Sequence, residues 1–238
     1  MSETRAASPA RCVVVGRNSS IWKALALRNM ASVTAIGHAD IGDFGFRQGD
    51  TVWILSFSRD DAQNRHLFEQ LSQACKGSFV YVSTATANVA DHTRCYTYPT
   101  VKRTAEHLAR QILGARIVRI GLVNASVEDL PAGTCAATAF DDIADVLQGA
   151  KLPPPGAGDI VRLYRLETRP FRSALERAAY SAYSALLMKL SSWPCLLRPL
   201  DVLLRAMNWK WYGYLRLSSA LIEKSGEAGR DATAGEKT

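Results

Sequence analysis

The chain has 238 residues, of which 47% are hydrophobic and 21% charged, with a formal net charge of +7. That balance belongs to a folded globular protein of one large or two small units and argues against a disordered or low-complexity chain. Five scattered cysteines (Cys12, Cys75, Cys95, Cys135 and Cys195) with no C-x-x-C pair argue against a disulfide framework or a metal site, and fit a reducing compartment.

Residues 1–11 read as a flexible N-terminus without the apolar core of a secretory signal, so a cytoplasmic location is expected. CVVVG (12–16) is a short, buried, β-branched strand ending in a glycine turn, and Ser20 to Met30 follows with helical apolar spacing. SVTAI (32–36) and TVWIL (51–55) are further buried strands. A helix is expected over 60–75, a strand over 78–83, a helix over 100–113, a strand over 115–123 and a short helix over 139–148. Strands alternating with helices at these intervals require parallel crossovers. The fold class is therefore α/β, a doubly wound, Rossmann-like parallel sheet over 12–150, with a C-terminal helical region over 151–224 and a disordered tail over 225–238. KLPPPGAGD (151–159) is the linker or turn between the two.

In doubly wound folds, ligands sit beyond the carboxyl ends of the strands, above all at the first strand–turn–helix unit. Here that unit reads VVVGRNSSIW. Gly16 allows the tight turn, while Ser19 and Ser20 can cap the helix and leave N–H groups free for a phosphate. The dinucleotide fingerprint accepts Ser19 but is poorly served by Trp22, where close helix–strand packing usually needs glycine. Gly16, Asn18, Ser19, Ser20 and Ile21 are the candidate cofactor contacts of this turn, joined by His38 at the second strand's tip and Ser56 beyond the third. A carboxylate at the second tip would favour NAD. His38 stands there with Asp40 two residues on, so NAD against NADP stays open.

The central turn carries the chemistry. YVSTATA runs from a strand into hydroxyls at Ser83, Thr84 and Thr86, and Tyr98 with Lys102 follows at a spacing that shares one helix face. Pro99 suits the first turn of that helix and places Tyr98 at its mouth. A phenol is a poor proton donor–acceptor at neutral pH unless a nearby ammonium stabilises its anion. A strand-end hydroxyl with Tyr-x-x-x-Lys on the next helix is thus a constellation for alcohol–carbonyl chemistry beside a nicotinamide. The bland alternative is that Thr84 caps a turn, Tyr98 packs and Lys102 is solvated.

Taken in order, VVVGRNSSIW, VWILSFS with the helix containing Asn64, FVYVSTATAN, YPTVKRTAEHLA, RIVRIGLVNA and TAFDDIADVL resemble the extended short-chain dehydrogenase/reductase family in a shortened form, over roughly residues 12–148. That family comprises nucleotide-sugar epimerases, dehydratases and reductases. The resemblance implies Tyr98 as catalytic acid/base, Lys102 on the nicotinamide ribose lowering the tyrosine's pKa, and Thr84 as the hydroxyl partner with Ser83 beside it. It also implies NAD or NADP as cofactor, a sugar derivative as substrate, and a structural role for Asp141 and Asp142. The departures are Trp22 and two brief segments, one between Thr84 and Tyr98 and one from Leu122 to Ala137. They support a second reading, a nucleotide-binding or scaffold protein that docks to a partner or membrane without turnover.

From Ile160 to Lys224 there are 11 Lys/Arg and 4 Asp/Glu, so the chain's net charge lies here. Leu186, Leu190, Trp193, Leu197, Leu200, Leu204, Met207 and Trp211 form an apolar stripe at helical period that Pro194 and Pro199 divide into several helices. Aromatic and basic residues accompany it, among them Tyr180, Tyr183, Trp209, Lys210, Tyr212, Arg198 and Arg205. The stripe fits two readings: peripheral docking to an anionic membrane face, or packing on the sheet or on a second subunit of a homodimer. No stretch of about 20 residues is apolar enough to span a bilayer. No nucleic-acid recognition motif is present.

Overall fold

Six parallel strands form the centre of the protein because they alternate their side chains between two helical layers. The computed structural model describes residues 11–225 apart from 29, 94–96, 157–158, 192 and 210–212. Residues 1–10 and 226–238, with Cys95, Lys210, Trp211 and Tyr212, lie outside the described residues, and with them most of the expected flexible N-terminus (1–11) and disordered tail (225–238).

Strands β1 (Cys12–Val15), β2 (Val33–Ile36), β3 (Thr51–Ile54), β4 (Ser78–Thr84), β5 (Arg116–Ile120) and β8 (Ile160–Leu163) form one parallel sheet in the order β2-β1-β3-β4-β5-β8. On one face, Val13, Val15, Val52, Ile54, Phe79, Tyr81 and Ile117 meet Leu67, Phe68 and Leu71 of α2 (Asp61–Ala74) and Ala105, Leu108 and Ala109 of α3 (Thr97–Leu113). On the other, Val14, Trp53, Val80, Val82 and Val118 meet Trp22 and Leu25 of α1 (Ser20–Leu25) and Ile143, Val146 and Leu147 of α4 (Phe140–Leu147). This is the doubly wound, Rossmann-like α/β sheet expected, with the order reversing between β1 and β3.

Helix α1 ends at Leu25, short of the expected Met30: Leu27 points outward at 88% exposure, so the apolar face closes at Leu25. The expected strand over 115–123 is two strands. At Gly121 the chain leaves the main sheet, its N–H donating to Thr138 Oγ1 at 2.8 Å; a Cβ there would lie 2.4 Å from the Ala136 carbonyl oxygen. Beyond it, β6 (Leu122–Asn124) pairs parallel with β7 (Gly133–Ala139), which pairs antiparallel with β9 (Arg165–Arg169) in a second sheet. Asp141 and Asp142, in the first turn of α4, make exposed ion pairs with Arg28 at 3.3 Å and with Arg165 of β9 at 3.1 Å.

The C-terminal region therefore opens with two strands, one of them an edge of the main sheet, before its helices α5 (Ala174–Leu190), α6 (Pro194–Ala206) and α7 (Gly213–Lys224). The apolar stripe is not one buried face: Leu197 and Leu204 are buried, whereas Trp193 and Met207 are 68% and 51% exposed. Pro194 opens α6, but Pro199 lies within it and does not divide it, since α6 continues to Ala206. Helix α7 is fastened by polar bonds. The buried Arg216 donates to the Ala132 and Thr134 carbonyls, Ser219 Oγ accepts from Ala136 N at 3.2 Å, and Ser218 Oγ bonds Ala85 O at 3.1 Å and Asn88 Oδ1 at 2.9 Å.

Candidate active site

Strand β4 delivers the centre of the site. Its alternation sends Tyr81 and Ser83 toward the face that α3 covers, and its last residue, Thr84, reaches the carboxyl edge of the sheet. Helix α3 begins at Thr97, three residues before the expected start, so Tyr98 lies in its first turn and Lys102 one turn on. Ser83, Thr84, Tyr98 and Lys102 line one cleft of about 550 Å³. Its far wall comes from α6 and α7 through Arg198, Asp201, Val202, Arg205, Tyr214 and Ser218.

Lys102 is 7% exposed, and its Nζ stands over the Phe57 ring at 4.1 Å and the Tyr81 ring at 5.4 Å from the centroids. Burial pulls its pKa down to about 8, against a smaller upward pull from Glu106. The Glu106 carboxylate is itself taken by Arg119 through two bonds of 2.8 and 2.7 Å. The Tyr98 ring packs edge-on against Phe57 (5.6 Å) and beside Tyr214 (6.2 Å). Burial pushes its phenol up to about 12, helped by Tyr214 and opposed by Arg59. The resemblance implied a tyrosine lowered by Lys102; in this fold the lysine faces Phe57 and Tyr81, and the phenol is raised.

Thr84 lines the cleft but is also engaged: its Oγ1 accepts from Thr86 N at 3.3 Å and lies 3.0 Å from Thr86 Oγ1, capping a 3-10 turn over Ala85–Asp91. Ser83 differs. Its hydroxyl is buried with no hydrogen-bond partner among the described residues, as is that of Tyr81. An orphaned buried hydroxyl at a cleft has room for a water or a ligand oxygen as its partner.

Of the first-turn candidates, only Ile21 lines the cleft. Gly16 takes φ +121°, and a Cβ there would lie 2.8 Å from Ser56 Oγ, so the glycine permits β1 and β3 to approach. The N–H groups of Gly16 and Arg17 both bond Ile36 O at 3.0 Å, Ser19 N bonds Gly16 O at 2.8 Å, and Ser19 Oγ caps Trp22 N at 3.1 Å. Asn18, Ser20 and Ile21 keep their N–H groups outside these bonds. His38 Nε2 lies 2.6 Å from Ser56 Oγ, and burial lowers the imidazole's pKa. Asp40 turns back to accept from Gly37 N at 2.7 Å and to meet Arg17 at 3.4 Å. Trp22 is buried in the core.

Sequence reasoning missed the far wall. Asp201 is buried, accepts from Gly213 N and pairs with Arg205 at 3.0 Å, tying the first residue of α7 to α6. Arg59 and Arg198 bring exposed cations to the cleft. The polar pattern Arg216, Ser218, Ser219 within an otherwise apolar run was the available signal that α7 docks on another element. Among the described residues there is no cluster able to hold a metal ion, and no helix is long and apolar enough to cross a membrane.

No protein-family model and no curated protein matches the chain. Its path is similar to several solved structures at low identity. A short-chain dehydrogenase/reductase superfamily protein from Agrobacterium tumefaciens with bound NAD aligns over 71% of this chain and 82% of that one, at 16% identity and TM-score 0.48. The triphenylmethane reductase of a Citrobacter species, complexed with NADP(H), aligns over 90% and 91%, at 11% identity and TM-score 0.47. The capsular polysaccharide assembling protein CapF of Staphylococcus aureus aligns over 65% of this chain, at 12% identity and TM-score 0.44; the match spans about half of that protein (52%).

Proposed function

We propose that the cleft performs alcohol–carbonyl chemistry on a nucleotide- or lipid-linked sugar derivative with NAD or NADP, as an oxidoreductase or an epimerase/dehydratase. One observation carries this reading. A buried lysine held by aromatic faces, a buried serine hydroxyl without a partner and a tyrosine line one cleft at the carboxyl edge of a parallel sheet.

The residues fit the cofactor at its nicotinamide end, where Ser83 and Lys102 hold unspent hydrogen-bonding capacity. At the other end, Gly16, Asn18, Ser19, Ser20 and Ile21 would follow the diphosphate, with His38 and Ser56 beside them. When bound, the cofactor supplies reversible hydride transfer. The chain supplies the rest. With its pKa near 12, the Tyr98 phenol is a proton donor at neutral pH, ready to protonate a substrate oxygen that gains negative charge. Lys102, still largely ammonium at pH 7, would stabilise that charge from its buried position. Ser83, beside Thr84, would hold the oxygen in place. Arg59 and Arg198 suit the phosphate of an activated sugar.

Saturable quenching of protein fluorescence by NAD(H) or NADP(H) is the test; a flat titration removes the enzymatic reading. Trp22 in the core and the six-residue α1 favour the second reading, a nucleotide-binding or scaffold protein. That reading expects cofactor binding without turnover on any sugar nucleotide.

A further inference from the structure

Helix α6 has an outward side that stays exposed among the described residues. Leu197, Asp201 and Leu204 face inward and are buried. Of its described side chains, the exposed ones are Cys195, Leu196, Pro199, Val202, Leu203 and Ala206, with only Arg198 and Arg205 beside them. At 3.6 residues per turn, the six apolar positions cover an unbroken arc of about 120°, and both arginines lie together along one border of it. Leu196, Val202 and Leu203 are 60%, 60% and 55% exposed, and Trp193 and Met207 extend the face at the two ends of the helix. A helix this apolar on its solvent side is normally covered.

Charge decides what covers it. Over residues 170–209 the sequence carries Arg172, Arg177, Lys189, Arg198 and Arg205 against Glu176 and Asp201. Both acids are engaged, Glu176 with Arg169 at 3.6 Å and Asp201 with Arg205 at 3.0 Å, which leaves Arg198 as the border cation outside these pairs. The surface is therefore apolar with a cationic border. A second copy would bring the same arginines to the same symmetric contact, whereas an anionic bilayer satisfies both features.

We propose that α6 is an interfacial helix that docks the protein on an anionic bilayer, with Leu196, Leu203 and Met207 in the acyl boundary and Arg198 among the headgroup phosphates. Because Arg198, Val202 and Arg205 also line the cleft, docking brings the cleft to the level of the headgroups. This inference stands independently of the proposed reaction.

The test is co-sedimentation of the full chain with phosphatidylglycerol/phosphatidylcholine vesicles and with phosphatidylcholine alone, at low and high salt. Binding to the anionic vesicles that weakens with salt is expected, falling about tenfold or more in Leu196→Glu/Leu203→Glu and about fivefold in Arg198→Ala. A wild-type chain that stays in the supernatant overturns the proposal, as does unchanged binding by the double variant. Self-association without vesicles that the double variant abolishes also overturns it, assigning the face to a second copy. Should the double variant not fold, an environment-sensitive thiol probe on Cys195, with Cys195→Ser as control, reads the same face in the otherwise native chain. A blue shift on anionic vesicles is expected, and no shift overturns the assignment.

Discussion

The Nζ atom of Lys102 lies 4.1 Å from the centre of the Phe57 ring, so the ammonium at the heart of the cleft is held by an aromatic face. Such a contact stabilises the charged form where burial opposes it. Above about pH 8 the lysine loses its proton, and turnover should fall with it. Phe57→Leu should move this alkaline limb down by about one pH unit, since a desolvated cation–π contact contributes roughly 1–2 kcal/mol. Lys102→Arg, which stays charged, should abolish the limb even where the rate is low. Rate profiles from pH 6 to 10 on the three proteins check this.

The same lysine costs stability. Its folded pKa of about 8 lies below the ordinary 10.5, so between those values the unfolded chain binds more protons and stability rises with pH. The penalty is full below pH 8. Lys102→Met should therefore raise the unfolding free energy at pH 7 by about 1–3 kcal/mol, a gain that fades as pH approaches 10.5. Urea unfolding at pH 7 and pH 10 measures it, and an equal gain at both would refute the assignment.

Arg119 and Glu106 form a bidentate pair whose side chains are 15% and 6% exposed. Arg119→Met strands the carboxylate and should cost about 3–5 kcal/mol. Adding Glu106→Leu should return most of that loss. It should also lower the pKa of Lys102 further, because Glu106 is the group that raises it. Denaturant midpoints of the single and double variants, with the pH profile of the double, separate the two effects.

Tyr98→Phe keeps the ring against Phe57 and Tyr214 and removes only the hydroxyl. Turnover should drop by about two to four orders of magnitude, the usual range for a lost acid–base group. Fluorescence-detected cofactor affinity should change less than threefold. Ser83→Ala, by contrast, removes an unbonded buried hydroxyl and should leave stability within about 1 kcal/mol while raising KM or lowering kcat.

The main sheet was legible in the sequence because its strands are continuous β-branched and aromatic runs: CVVV, TVWI and FVYV need no partner to declare themselves. Tyr98 and Lys102 were legible because a helical spacing fixes them to one face, and the cleft does contain both. What escaped was non-local. GTCAATA (133–139) carries small residues with no strand signature, and it becomes β7 only because β6 and β9 flank it. IVRL (160–163) gains its place from the open edge of β5. Local pattern likewise could not distinguish Ser83 from Thr84. The difference lies in Thr86, whose backbone N–H and hydroxyl occupy Thr84 and leave Ser83 alone.

Helix α7 sets the order in which this molecule can be completed. Its Arg216, Ser218 and Ser219 fasten it to β7 and to the turn after β4, and its Tyr214 meets Tyr98 across more than a hundred residues of chain. A growing polypeptide can pair β1 through β5 early, adds β8 only after residue 163, and cannot close the cleft until residues 213–224 have left the ribosome. Until then the cleft that Ser83 and Lys102 line lacks its far wall.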